Sequence, residues 1–268
     1  MPDTAEFLSF PPETLGRAPL RLPIVARSGA WLVVDKPAGV PWCPDPWIPR
    51  STDLVREVRA QLRAGKPQLA RLGLTGIYGI TGPDLDASGL VLCATTEAEA
   101  ARLANALGSA QIELCHHFLT PGRPGVDAVE CNQPLAPHPT ESRMIVSAEF
   151  GKKTETSFRR LQRFRGWAWW SATTTFDRPH QIRAHAAACS LSIVGEARYA
   201  KASPVFLSEL KRGFRPAAER ERPLYGALCL HLARISFPDT DGTRRTVECP
   251  PPKGLAVLLR RLAEHAPA

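Results

Sequence analysis

Four side chains able to bind anions or move protons crowd one short stretch of this chain: Arg178, His180, Arg183 and His185, with Gln181 among them. Asp177-Arg178-Pro179 leads into His180-Gln181-Ile182-Arg183-Ala184-His185-Ala186, and Ile193-Val194-Gly195-Glu196-Ala197-Arg198-Tyr199 follows closely. A guanidinium can hold a carboxylate bidentately and keep it ionised in a closed pocket. Standing alone, the segment also fits a solvated basic turn at a helix start. Carboxylates that could work with it lie in Thr81-Gly82-Pro83-Asp84-Leu85-Asp86, a loop just before an apolar run at residues 90–94. A loop fixed against a buried strand can hold a reactive side chain rigidly. Spacing alone does not separate Asp84 from Asp86, because either suits an Asx turn that caps the loop.

The elements that must position these groups are legible from periodicity and punctuation. Residues 1–28 are Pro-rich and read as an irregular arm lying on the domain. Residues 30–34 read as a short strand with Pro37 and Gly39 as its turn. Residues 51–63 read as a helix capped by Ser51 or Thr52, with Leu54, Val55, Val58 and Leu62 on one face and Gly65 at its end. Residues 90–94 form a buried strand. Thr96 and Glu99 then suggest a capping box for a helix running to Gly108. Strands are expected over 112–119, 154–164, 167–176, 228–237 and 244–248, a short helix over 180–190, and a final helix over 255–265. Trp167, Trp169 and Trp170 read as packing residues in preference to a base-stacking platform. Helices inserted singly between runs of strands, without regular alternation, predict an α+β fold.

The motifs, taken together, resemble the RNA pseudouridine synthases of the RluA/RsuA type. Arg178-Pro179-His180-Gln181-Ile182-Arg183-x-His185 is similar to that family's most diagnostic motif. Trp31-Leu32-Val33-Val34-Asp35-Lys36-Pro37-Ala38-Gly39-Val40 resembles its opening strand and Lys-Pro-x-Gly turn. Asp84-Leu85-Asp86-Ala87-Ser88-Gly89-Leu90-Val91-Leu92 resembles the segment carrying the catalytic aspartate, and alignment on Ser88-Gly89 selects Asp84. Leu228-Cys229-Leu230-His231-Leu232-Ala233 is similar to the family's last strand motif. The four motifs come in order and span most of residues 24–262.

The resemblance implies a mixed, bent β-sheet with flanking helices and a central active cleft. It implies one catalytic domain, here over residues 29–268, while the Pro-rich residues 1–28 are not expected to form the separate basic RNA-binding module that many relatives carry. The implied activity is conversion of uridine to pseudouridine in ribosomal or transfer RNA, without metal or cofactor. The N-glycosidic bond breaks, the uracil turns, and it rejoins through carbon. Asp84 is then the nucleophile and Arg183 its charge partner. Phe118 would be the aromatic wall against the flipped base, and Arg178, His180 and Gln181 would contact phosphate and base. The sequence departs from the pattern at Thr81-Gly82-Pro83, where relatives have His-Arg-Leu, and at Ala87, where they have Thr. The family's Lys-x-Tyr strand is matched to His116-His117-Phe118, and its Thr-Gly-Arg to Phe176-Asp177-Arg178. These losses leave a competing expectation, a catalytically degenerate RNA-binding or assembly protein of the same fold. Retention of Asp84 and Arg183 argues against it.

Composition agrees with a nucleic-acid partner. The chain has 268 residues, is 44% hydrophobic, and carries a net charge of +8, with a pI near 9.4. Its basic residues cluster at Arg159, Arg160, Arg163 and Arg165, and at Lys211, Arg212, Arg215, Arg220 and Arg222, beside Phe158, Phe164 and Phe214. Seven scattered cysteines without a Cys-x-x-Cys suggest reduced cytoplasmic thiols and not a disulfide framework. The chain is expected to act as a monomer. A zinc site at Cys115-His116-His117 is disfavoured because adjacent strand residues point to opposite faces. No Gly-x-Ser-x-Gly or His-Glu-x-x-His motif supports an unrelated hydrolase.

Overall fold

A computed structural model describes residues 6–48, 52–122, 125–211, 213–214 and 221–268. In chain order the elements are β1 (Phe7–Phe10), β2 (Leu20–Arg27), β3 (Trp31–Lys36), α1 (Leu54–Arg63), α2 (Pro67–Arg71), β4 (Tyr78–Thr81), β5 (Ser88–Ala94), α3 (Glu97–Gly108) and β6 (Glu113–Pro121). They continue with β7 (Ala128–Cys131), β8 (Leu135–Pro137), β9 (Met144–Val146), β10 (Thr156–Phe164), β11 (Trp167–Thr174), α4 (Gln181–Ala188), α5 (Leu207–Leu210), β12 (Leu230–Pro238), β13 (Arg244–Glu248) and α6 (Lys253–His265). The fold is α+β, as expected. It divides into two compact units, Met1–Leu114 with Leu232–Cys249, and Cys115–His231 with Pro250–Ala268.

In the first unit the strands run in the order β1-β2-β3-β5-β12, with β4 also on β5 and β13 on β12. β3 and β5 pair antiparallel from Trp31↔Ala94 to Lys36↔Gly89. Both strands are almost wholly buried, and their period-2 alternation splits the apolar side chains between two layers. Leu32, Val34, Val91 and Cys93 pack in one cluster with Leu54 and Val58 of α1. Trp31, Val33, Leu90 and Leu92 pack in another with Leu103 and Ala106 of α3. The strand that carries the Asp84 loop is therefore clamped from both sides.

Residues 7–10 and 20–27 are strands, not the irregular arm expected from their prolines. Leu8, Phe10 and Leu22 are buried, and this alternating apolar set fixes β1 and β2 on the sheet. The β2–β3 pairing shifts register between Ile24 and Ala26. The first helix is capped by Asp53, whose carboxylate accepts the Arg56 N–H at 2.9 Å; of the expected caps, Ser51 lies outside the described residues. Thr96 does cap α3 through the Glu99 N–H, but the Glu99 carboxylate binds Arg102 at 2.6 and 2.8 Å. The reciprocal half of the expected box is taken by an ion pair.

In the second unit the order is β6-β11-β10-β7, with β8 and β9 forming a separate hairpin. Leu255, Leu258 and Leu262 of α6 pack with Leu119, Trp169 and Cys229. Among the described residues no helix is long and apolar enough to cross a membrane.

Candidate active site

The Asp84 loop is held from beneath by Lys36. The Lys36 side chain is fully buried, and its Nζ donates to the carbonyl oxygens of Pro37 at 3.1 Å, Asp84 at 3.3 Å, Leu85 at 3.4 Å and Ala87 at 2.8 Å. Burial pushes its pKa down to about 7, against the opposing pull of Asp84, Asp86 and Asp35. Gly39, in the same turn, donates its N–H to Leu85 O at 2.7 Å and sits at φ +82°, a conformation that favours glycine. The Lys-Pro-x-Gly segment thus acts as a bracket for the aspartate loop. Asp84 and Asp86 are both half-buried, so burial does not separate them.

Two glycines of this region have physical reasons. Gly89 lies at φ +125°, and a Cβ there would come within 2.3 Å of the Leu232 carbonyl oxygen. Only glycine lets β5 approach the backbone so closely. Gly82 is not open space either. A Cβ there would lie 3.0 Å from the Trp42 indole and 3.1 Å from Val91, and Trp42 Nε1 donates to Pro83 O at 3.0 Å. The volume above Gly82, where relatives are expected to carry an arginine, is occupied by a tryptophan.

In the second unit α4 carries the Arg183 guanidinium into a buried ion pair. Its Nε and Nη2 donate to the two Glu196 carboxylate oxygens at 2.7 and 3.0 Å, and both side chains are almost completely enclosed. Burial alone would raise the Glu196 carboxyl. The Arg183 hydrogen bonds and charge, with the Arg198 and Tyr199 N–H groups, hold it below the usual value. Sequence reasoning does not single out Glu196 as a functional residue. The available signal is the Ile-Val-Gly-Glu run that follows the helix, an acidic residue in an apolar stretch. Arg183 also lies over the Tyr199 ring at 5.5 Å.

His180 occupies the N-cap of α4 in the left-handed region, φ 52°. Its Nδ1 lies 3.0 Å from the Tyr199 hydroxyl, and that hydroxyl accepts the Met144 N–H at 2.8 Å. Gln181 is turned inward. Its amide donates to Glu155 O, Thr156 Oγ1 and Thr174 Oγ1, and its Oε1 accepts the Arg178 N–H. His185 is likewise taken up by Thr156 and Gln133 O. These contacts fasten the helix to β10 and β11. Arg178 is half-buried, and its Nε is buried without a hydrogen-bond partner, a donor suited to an incoming anion.

Phe118 lies on β6 in the second unit. Its side chain is fully buried, edge-on to Phe158 at 5.7 Å and stacked with Trp170 at 6.4 Å. The ring packs within the core of the second unit. On the same strand, His116 is buried with Nδ1 unpartnered, and burial, reinforced by His231 and His117, pushes its pKa down to about 3. Trp169 and Trp170 are buried, as read from sequence, while Trp167 is only half-buried. Arg159 and Arg163 are exposed. Arg212, Arg215 and Arg220 lie outside the described residues.

The α+β scaffold carries a bracketed aspartate loop in the first unit and a helix-borne, carboxylate-paired arginine in the second. A family model described as RNA pseudouridylate synthase matches residues 30–188, and the chain belongs to that family. Similar curated proteins are the ribosomal large subunit pseudouridine synthases D of Xanthomonas campestris and Nitrosomonas europaea. Each is 26% identical, over 88% and 68% of this chain. The matches span 67% and 51% of those relatives' own lengths. Two solved structures share the fold. Human RNA pseudouridylate synthase domain containing 4 superposes with a TM-score of 0.67 at 17% identity, covering 89% of this chain and 92% of its own. Human RNA pseudouridylate synthase domain containing 1 gives 0.61 at 21% identity, covering 86% and 84%.

Proposed function

We propose that this chain isomerises uridine to pseudouridine in RNA with Asp84 as nucleophile and Arg183 as the cation that keeps it charged. The observation that carries the reading is the Lys36 bracket. A fully buried lysine gives its donors to the backbone of residues 84–87, an arrangement that costs desolvation and makes sense where the loop must be held in one geometry. Asp84 in that loop suits attack near the sugar C1′, and the unpartnered Arg178 Nε suits a phosphate of the same strand. His180, beside Tyr199, is the base or sugar contact of this reading. Ribosomal or transfer RNA is the substrate class. The names of the curated relatives favour ribosomal RNA of the large subunit. The reaction needs no metal or cofactor, and the protein acts as a cytoplasmic monomer.

The competing reading, an RNA-binding or assembly protein without catalysis, draws on the replacement of an arginine by Gly82 under Trp42. One comparison separates the two. Pseudouridine mapping in total RNA should show at least one site present with the wild-type chain and absent with Asp84→Asn, while Asp86→Asn keeps most of the signal. An unchanged map for Asp84→Asn would sink the enzymatic reading and leave the binding protein.

A further inference from the structure

The β10–β11 hairpin of the second unit carries a bulge beside a cavity. The strands pair regularly from Ser157↔Thr173 to Phe164↔Trp167, except that Arg160 faces Trp170 and Gln162 faces Trp169, leaving Leu161 as an extra residue. Residues three apart on a strand normally point to opposite faces. The bulge adds one residue and brings Arg160 and Arg163 to the same face. Both line a cavity of about 230 Å³ with Gly125, Phe164, Trp167 and Ala168. The Arg160 side chain is 8% exposed, and its guanidinium lies over the Trp170 ring at 5.9 Å.

Asp127 shows what the two cations accept. Its Oδ1 is bonded to Arg160, and the same atom lies 3.5 Å from Arg163. The carboxylate is 77% exposed, so a stronger anion from solvent can displace it. A cavity with aromatic walls and paired guanidinium groups suits a planar group attached to a phosphate. Its volume is below the roughly 300–1,000 Å³ of drug-sized sites and is of the scale of one base.

We propose that this cavity binds one unpaired nucleotide of the substrate RNA, its base against Trp167 and its phosphate between Arg160 and Arg163 in place of Asp127. The site is separate from the helix segment that carries Arg183. Gln181 is fastened to Thr156 and Thr174, at the opposite end of β10 and β11 from the Phe164–Trp167 tip. The 9-residue span of β10 sets the two ends on the order of 25 Å apart. The captured nucleotide is therefore several positions along the strand from the uridine that reacts, and the cavity contributes to register and not to chemistry.

The proposal rests on the RNA-directed reading above, and binding measured apart from turnover keeps the two distinguishable. Affinity for a fluorescein-labelled single-stranded oligoribonucleotide is measured across a salt series, using the full chain in the Asp84→Asn background. Asp127→Asn should tighten binding several-fold. Arg163→Gln should weaken binding and reduce the slope of log affinity against log salt by about one unit. Trp167→Leu should weaken it about tenfold with the slope unchanged, and Trp167→Phe should restore most of the loss. Unchanged or weaker binding by Asp127→Asn, together with wild-type affinity in Trp167→Leu, would overturn the site. Loss of affinity in Trp167→Leu that Trp167→Phe does not restore would assign Trp167 to packing and equally overturn it. Isomerase activity retained by Asp84→Asn would defeat the functional reading while leaving the binding result standing.

Discussion

At the scale of single residues, the site depends on groups that never leave the protein interior. Lys36 is the clearest case. Replacing it by methionine keeps the stem's packing but leaves the carbonyls of residues 84, 85 and 87 without their donor. The expected result is a stability loss of roughly 1–3 kcal/mol for unsatisfied buried acceptors, with kcat falling while RNA affinity changes little. Steady-state kinetics and urea titration measure the two effects; an unchanged kcat would show that the bracket does not position Asp84. Phe118 gives the opposite lesson. A tyrosine there would place a hydroxyl inside the Phe158–Trp170 cluster. Phe118→Tyr should destabilise by about 1–3 kcal/mol through a buried hydroxyl without a partner, and it should not accelerate the reaction. A single-turnover rate above wild type would reinstate the ring as a neighbour of the substrate. Gly82→Arg should likewise fail to rebuild the missing arginine, since its Cβ already meets Trp42.

At the scale of elements, α4 is a short helix held by polar side chains instead of a broad apolar face. Gln181 and His185 tie it to β10, and Arg183 ties it to the loop bearing Glu196. Removing the charge from one partner of a buried pair strands the other. Glu196→Gln should cost on the order of 3 kcal/mol and should lower activity by loosening Arg183. Glu196→Asp, which keeps the charge, should recover part of both; a stability equal to wild type in Glu196→Gln would show that the pair is not what holds the helix. The sequence makes α4, β3, β5, β13 and α6 legible because their apolar spacing or caps are local. It also brings Asp84, Arg183 and His180 into view through their patterns. It does not reveal β1 and β2, whose prolines mask a period-2 set that has meaning only against β3. It does not reveal Glu196, Trp42 or the bulge at Leu161, because each is defined by its contact with another segment and not by its own local pattern. Gln181 and Phe118 read as facing substrate because residue type says nothing of direction. Hydrogen bonds and packing turn both inward.

At the scale of the whole molecule, the buried ionisable groups set a pH dependence of stability whose sign can be worked out. Folded His116 takes a proton only near pH 3, against an ordinary value of 6.5, and His185 is also lowered by burial. Between those values the unfolded chain binds more protons, so stability falls as pH drops below 6.5. For His116 alone the loss between pH 6.5 and 5 is about 2 kcal/mol. Glu196 is held below its ordinary value of 4.5. Asp239 is held at about 2, where burial is outweighed by Trp31 and Arg245. Both add to the loss at still lower pH, as their paired carboxylates are forced to protonate. Lys36 acts in the same direction higher up. Its folded pKa near 7 lies below the ordinary 10.5, so stability rises with pH across that interval. The buried thiol of Cys93 is pushed up to about 12 from 9.0. Burial raises the Cys189, Cys229 and Cys249 thiols in the same way, so above pH 9 the unfolded chain loses several protons first, this outweighs the single proton of Lys36, and stability turns down again. The maximum should therefore lie on the alkaline side, near pH 8–9. Urea midpoints at pH 5, 6.5, 8 and 10 test the curve. His116→Phe should flatten the limb between pH 6.5 and 5 while leaving the alkaline limb intact. If that substitution leaves the acid limb as steep as in the wild type, the buried histidine is not the source of the acid sensitivity.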